Sequence, residues 1–168
     1  MALIALPRQL KNFNLYVDGE SFAGKADTIT LPALNFVVEK HRAGGMDAPR
    51  GIELGMEELK LSFVISDLGP QMLSLLGKDG VAVVARGSVQ AQGSDAEAVV
   101  INMRGLFRGL ESSAWTLGAK SSRTVNVDLS YFRYRQKDVE YCEIDIDNMI
   151  RTIGGVDQLA AHRTNIGL

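Results

Sequence analysis

Leu59-Lys-Leu-Ser-Phe-Val-Ile-Ser66 alternates without a break, with Leu59, Leu61, Phe63 and Ile65 on one side and Lys60, Ser62, Val64 and Ser66 on the other. A side-chain period of two belongs to a strand with one buried face. Upstream lies His41 to Leu59, HRAGGMDAPRGIELGMEEL, with Gly44, Gly45, Gly51 and Gly55. Before that, Leu34, Phe36 and Val38 alternate again. Hairpin loops ordinarily run two to about five residues. A connection this long and glycine-rich between two strands has a task outside its own core: a lid, a ligand clamp or an arm to a neighbour.

Downstream, Asp67-Leu-Gly-Pro-Gln-Met-Leu-Ser-Leu-Leu-Gly77 changes period. Leu68, Met72, Leu75 and Leu76 fall at helical spacing, with Asp67 as a cap, Pro70 in the first turn and Gly77 or Gly80 as the stop. One short amphipathic helix is expected there, laid against a sheet.

The same alternation recurs along the rest of the chain. Phe13, Leu15 and Val17 share a face, and Asp18-Gly19 signals a hairpin with a return strand over Ser21–Leu31. Val81–Gln92 and Ala98–Arg108 follow, joined by Gly93-Ser94-Asp95. Gly109 to Ser122 is a connection of weak pattern that holds the only tryptophan, Trp115. Thr124–Tyr134 is long and alternating, with Val125, Val127, Leu129 and Tyr131 on the apolar side and Phe132 on the other. Val139–Ile146 pairs back after Gln136-Lys-Asp138. Asp147 or Asn148 would cap a short helical stretch through Met149, Ile150 and Ile153, and Val156–Arg163 adds one helical turn or two. The expected fold is mainly β: an antiparallel barrel or sandwich of about eight strands with one flanking α-helix and a long hairpin loop. No internal repeat or low-complexity linker divides the 168 residues, so a single domain is expected.

Composition narrows the function classes. Hydrophobic residues make up 46% and charged residues 23%, in the range of a globular chain. The net charge of −2 argues against a domain that grips phosphates. A single cysteine, Cys142, rules out an internal disulfide. The start, MALIALPRQL, has no basic segment ahead of its apolar residues, and Pro7 and Arg8 cut those short of a signal peptide. No stretch reaches the roughly 18 apolar residues of a membrane helix. The expectation is a protein made in the cytoplasm, without a membrane span.

Chemistry is sparse. His41 and His162 have no metal-ligand spacing, Cys142 has no cysteine partner, and no phosphate loop, dinucleotide fingerprint or nucleophile elbow occurs. Glu143, Asp145 and Asp147 would project from one strand face, as calcium ligands do, with Glu140 nearby; a solvated or interface face accounts for them more simply. An enzyme built on Glu143, Asp145 and His162 lacks a nucleophile and oxyanion donors. Arg104, Arg108, Arg133 and Arg135 are spread over two strands and interleaved with acids, so a salt-bridged interface is expected of them. No catalytic residue, cofactor or metal is expected. Ser62, Ser66, Ser88, Gln90, Gln92, Thr124, Asn126, Asp128 and Ser130 form polar strand faces, suited to the outside of a β domain or, in a ring of such domains, to a channel wall.

Several segments then carry a resemblance. Arg42-Ala-Gly-Gly-Met-Asp-Ala-Pro and Ile52-Glu-Leu-Gly-Met-Glu-Glu-Leu resemble the major tail tube protein of contractile-tailed phages and of R-type bacteriocins. Lys11-Asn-Phe-Asn-Leu-Tyr-Val-Asp-Gly, Thr30-Leu-Pro-Ala-Leu, Glu143-Ile-Asp-Ile-Asp-Asn-Met-Ile, Gly155-Val-Asp-Gln-Leu and His162-Arg-Thr-Asn-Ile-Gly-Leu agree in order and spacing, while residues 67–120 match least. The resemblance implies one tube domain over residues 1–168, with 41–59 as an extended assembly loop and 148–168 as a C-terminal segment. It implies hexameric rings stacked into a tube, with sheath, baseplate and tape-measure proteins as partners, DNA passage through the lumen in a phage, and a place in a virion tail or bacteriocin particle. On that reading Arg42, Gly44, Gly45, Met46, Asp47, Arg50, Met56 and Glu57, with Leu3 and Ile4 at the start, meet neighbouring subunits. Ser62, Ser88, Gln90, Asn126, Asp128 and Ser130 face the lumen. The alternatives are a tube component similar to the Hcp protein of type VI secretion, or a monomeric small-molecule-binding barrel with 41–59 as its lid over a closed apolar cavity.

Overall fold

The computed structural model describes residues 6–168; the expected contacts of Leu3 and Ile4 lie outside the described residues. The strands are β1 (Gln9–Val17), β2 (Glu20–Ser21), β3 (Ala26–Thr30), β4 (Phe36–His41), β5 (Arg50–Met56), β6 (Leu59–Ile65), β7 (Val81–Gln90), β8 (Glu97–Ser112), β9 (Arg123–Gln136), β10 (Val139–Asp145), β11 (Ile150–Ile153) and β12 (Val156–Asp157). The helices are α1 (Gln71–Leu75) and α2 (Ala160–Ile166).

Ten strands form one antiparallel sheet in the order β12-β11-β10-β9-β8-β7-β1-β2, with β6 on β9 and β3 on β6. β9 is the branch point. Its first half, through Leu129, pairs with β6, and its second half, from Tyr131, pairs with β10, while β8 runs along its other side throughout. The two branches leave β1 and β3 unpaired with each other, so the structure is sandwich-like and not a closed barrel. The core between the layers is a single cluster that includes Leu15, Leu59, Leu61, Phe63, Ile65, Val83, Met103, Phe107, Val125 and Val127. The strand over Leu59–Ile65 buries alternate residues as its sequence requires. Phe63 and Phe107 meet edge to face across the core, with ring centroids 6.3 Å apart.

Four expectations are corrected. The turn at Asp18-Gly19 forms, but only Glu20 and Ser21 return along β1. The chain then turns at Gly24, whose φ is +76°, and β3 joins β6 instead. In β9 the apolar side changes phase: Leu129 and Phe132 are both buried in the core, and Tyr131 turns to the opposite face, where it is half-buried. Gly105 pairs with Leu129 and Arg104 with Tyr131, so Ser130 is the extra residue of a bulge, and a bulge inverts every later side chain. Residues 150–153 are strand β11 and not helix, because Asp145 accepts hydrogen bonds from Asn148 N at 3.0 Å and Nδ2 at 2.8 Å and folds the chain back at once. Finally, His41–Leu59 is not a loop throughout. Arg50–Met56 is strand β5 and pairs with β4, leaving residues 42–49 as the connection.

The expected helix after Asp67 is present but short, at α1, with Met72 and Leu75 buried. A second helix, α2, ends the chain, and Gly167 closes it with φ +84°.

Candidate assembly surfaces

The β4–β5 hairpin forms a separate two-stranded sheet. Every residue of β4 and the first five of β5 are exposed. Among them Val38, Ile52 and Leu54 present 57%, 46% and 60% of their surface to solvent. A hairpin of this kind gains little by folding on its own, so exposed aliphatics on both of its faces point to burial elsewhere. Its base is anchored. Arg151 of β11, itself buried, donates from Nη1 and Nη2 to the two oxygens of Glu53, and its guanidinium lies 5.0 Å from the Phe36 ring centre. The Arg151 hydrogen bonds hold the Glu53 carboxyl below its ordinary range, helped by a hydrogen bond from Gly55 N and the nearby charges of Arg151 and His162. Asn35 Nδ2 donates to Glu57 at 3.2 Å.

The expected interface residues divide along this hairpin. Arg42, Gly44, Gly45, Met46 and Asp47 form its tip, where Met46 N donates to Ala43 O at 3.2 Å and Gly45 sits at φ +84°. Arg50 opens β5, opposite His41. Met56 and Glu57 belong to the base, beside a groove shared with Ile144, Met149, Arg151 and Leu159. α2 is tied to that base: Arg163 donates to Met149 O at 2.8 Å and to Asp157 at 2.7 Å, and the second bond is the main cause of the lowered Asp157 pKa.

The polar faces divide as well. Ser62 and Asn126 are directly opposed, Lys60 opposes Asp128, and Thr30 and Gly109 extend the Ser62–Asn126 row on either side. Ser130 lies at the bulge that ends this patch. Ser88 and Gln90 are elsewhere. Ser88 sits beside Ala98, eleven residues along β8 from Gly109, or about 36 Å along the strand. Ser62, Asn126, Asp128 and Ser130 form one patch that Ser88 and Gln90 do not join.

Among the described residues, only Arg108 of the arginines expected to be salt-bridged forms an ion pair, with Asp128 at 3.3 Å. Arg104 lies 4.6 Å from the Tyr131 ring centre, and Arg135 reaches the Asn102 amide at 3.4 Å. Two acids of β10, Glu143 and Asp145, are absorbed by structure. Glu143 accepts from the Tyr131 hydroxyl at 2.8 Å, and Asp145 builds its turn. No cluster among the described residues could hold a metal ion.

In place of the closed cavity that the alternative binding-barrel reading requires lies an open apolar cleft of about 230 Å³ lined by Leu10, Phe13, Ile29, Leu31, Val99 and Tyr134, among others, with no residue of the β4–β5 hairpin beside it. The hairpin is therefore no lid to it. Sequence reading assigned no role to the β8–β9 connection, where Trp115 is 82% exposed and Leu117 fully exposed. A lone tryptophan in a segment without apolar alternation was the available signal. No helix among the described residues is long and apolar enough to cross a membrane.

The comparisons agree with this architecture. The family model for phage tail tube protein FII matches residues 7–167. The tail tube protein of Escherichia phage P2 is 34% identical over 98% of this chain and 100% of its own length. The major tail tube protein of Serratia phage KSP20 is 26% identical over 88% of each. Two solved structures share the fold at 8% identity and a TM-score of 0.61. One is the sheath/tube terminator of an extracellular contractile injection system, with 79% of this chain and 99% of that one covered. The other is from the sheath-tube complex of the same system, with 77% and 91% covered. This chain belongs to the phage tail tube protein FII family.

Proposed function

We propose that the protein is the repeating subunit of a hexameric ring, that such rings stack into a tube inside a contractile sheath, and that the β4–β5 hairpin is the arm that joins subunits. The observation that carries this is the hairpin itself: it stands off the sheet with apolar residues on both faces while Arg151 fixes its base. Identical heterologous contacts close into rings when the rotation allows. Conformational freedom lost by residues 42–49 on docking would oppose premature assembly. Sheath, baseplate and tape-measure proteins are the partners of such a tube, and its work is mechanical, without catalysis or cofactor. The patch of Ser62, Asn126, Asp128 and Ser130 suits a lumen wall, wettable and weakly binding, through which DNA passes in a virion. The whole chain acts as one tube domain with residues 148–168 bracing the base of the arm.

Replacing residues 42–49 with Asn-Gly keeps β4 and β5 in register through a two-residue turn. The expected result is a folded subunit that forms no tubes in electron micrographs; normal tubes would refute the arm.

A further inference from the structure

We propose that the β8–β9 loop is a second assembly contact, in which Trp115 and Leu117 of one copy enter the apolar cleft between β1 and β3 of the copy stacked next to it. This rests on the tube reading above.

The loop presents its apolar residues on a built scaffold. Ser113 N donates to Ser122 O at 2.9 Å, and Ser122 N donates to Ser113 Oγ at 3.0 Å, which pinches the base. Ala119 N donates to Thr116 O at 3.1 Å, and Gly118 takes φ +79°, which makes a tight turn at the tip. Lys120 pairs with Asp27 at 2.9 Å and ties the loop to β3. Trp115 and Leu117 are thus held outward in water, at a standing hydrophobic cost. An ordered aromatic anchor loses little entropy when it binds, and tryptophan is the residue type most often found to dominate an interface.

The cleft is the complementary feature. Among the described residues β3 pairs only with β6, and β1 has β2 on its outer edge only at Tyr16 and Val17, so two strand edges flank the opening. Its lining is aliphatic and aromatic, Leu10 and Leu31 stand 56% and 40% exposed at its mouth, and Arg86 also lines it. A guanidinium beside an indole face adds a cation–π attraction that an aliphatic guest would not receive.

Placement selects a second copy as the occupant. Ile101, in the cleft, and Ser112, at the foot of the loop, lie on the same strand eleven residues apart, about 36 Å along it. The β8 wall of the host, at Ile101, and the foot of the loop are at opposite ends of the β8–β9 hairpin, while the β3 wall, at Ile29 and Leu31, reaches back toward Asp27, where Lys120 ties the loop. A contact between loop and cleft joins two different surfaces, so it is heterologous and repeats from copy to copy, unlike the isologous contact of a closed dimer.

Trp115 is the only tryptophan, so its fluorescence reads the contact directly. In the unassembled subunit its emission should resemble that of free tryptophan and be quenched by acrylamide. In tubes it should shift to shorter wavelength and lose most of that quenching. Trp115→Ala should raise the critical concentration for assembly about tenfold or more, as loss of an interface anchor does. Leu10→Asp should do the same, and the two changes together should cost no more than one. In a Cys142→Ser background, Trp115→Cys with Leu10→Cys should give a covalent ladder on oxidation of tubes. Tubes that form with Trp115 still fully quenched, or with a critical concentration unmoved by Trp115→Ala, overturn the contact and leave the hairpin arm standing. Additive effects of the two changes, or an emission shift on phosphatidylcholine vesicles with none in tubes, overturn it as well. A wild-type chain that never forms tubes overturns both readings.

Discussion

Arg151 and Glu53, 98 positions apart, meet at the foot of the projecting hairpin, with Nη1 2.9 Å from Oε1 and Nη2 3.4 Å from Oε2. Arg151 is buried, whereas Glu53 keeps nearly half of its side chain in solvent, so the pair fixes direction more than it adds stability. Lysine cannot reproduce the forked contact or lie flat on Phe36. Arg151→Lys should leave the fold intact, loosen the hairpin and reduce tube yield several-fold. Hydrogen exchange on β4 and β5 checks the first step and electron microscopy the second. Unchanged exchange would show that the pair does not hold the arm.

Gly105 explains the change of phase in β9. A Cβ there would meet Asp128 O at 2.1 Å and Leu129 Cα at 2.7 Å, both backbone atoms that cannot swing aside. The strand opposite the bulge must therefore be bare at this point. Gly105→Ala should destabilise by about 1–3 kcal/mol or more, as overpacking does, which for a chain of this size lowers Tm by roughly 2–4 °C per kcal/mol. Gly109→Ala, whose nearest contacts are 3.8 and 3.9 Å, should stay near wild type. Equal melting of the two variants would remove the steric account.

The same bulge shows where sequence reading stopped. Strands 59–65, 81–90 and the part of β8 up to Arg108 were legible because one face of each is buried and the period of two holds, whereas residues 109–112, past the irregularity between Phe107 and Gly109, were read as connection. Leu129-Ser-Tyr-Phe132 offers an apolar residue in either phase, so only the partner strand decides between Tyr131 and Phe132. Ile150–Ile153 has the same ambiguity, resolved by the Asp145 turn. β5 was hidden because its pattern is interrupted by Gly51 and Gly55 and its side chains are exposed on both faces. For the assembly residues, the segment was visible as glycine and charge, but Arg151 could not be tied to Glu53 across 98 positions, and Trp115 had no local pattern to mark it.

Glu97 should make stability acid-sensitive. Hydrogen bonds from Lys137 and Gln136, followed by Arg8, lower its pKa from 4.5 to about 2. Lys137 Nζ lies 2.9 Å away, Gln136 Nε2 2.6 Å and Arg8 Nε 3.1 Å. A folded-state pKa below the unfolded one gives stabilisation that is complete above about 4.5 and lost as pH falls through about 2. Glu97→Gln should lower Tm at neutral pH and flatten the loss of Tm across that window, meeting wild type at its acid end. Circular dichroism melts of the unassembled subunit measure this, and parallel curves for the two proteins would count against it.

Tyr131 should titrate late. Burial, then its hydrogen bond to Glu143, push the phenol up from 10.0 to about 12, against a smaller opposing pull from Arg133 and Arg104. A raised folded-state pKa means stability present below pH 10 and lost as pH rises through about 12, because the unfolded chain ionises first. Of the four tyrosines, one should therefore ionise last in an alkaline pH jump followed by ultraviolet absorbance and read before unfolding. Tyr131→Phe should remove that late component. Glu143→Gln should bring it only partway down, since burial is the larger cause and stays in place. A late component that persists in Tyr131→Phe would assign it to another tyrosine, and one that returns fully to 10 in Glu143→Gln would make the hydrogen bond the principal cause.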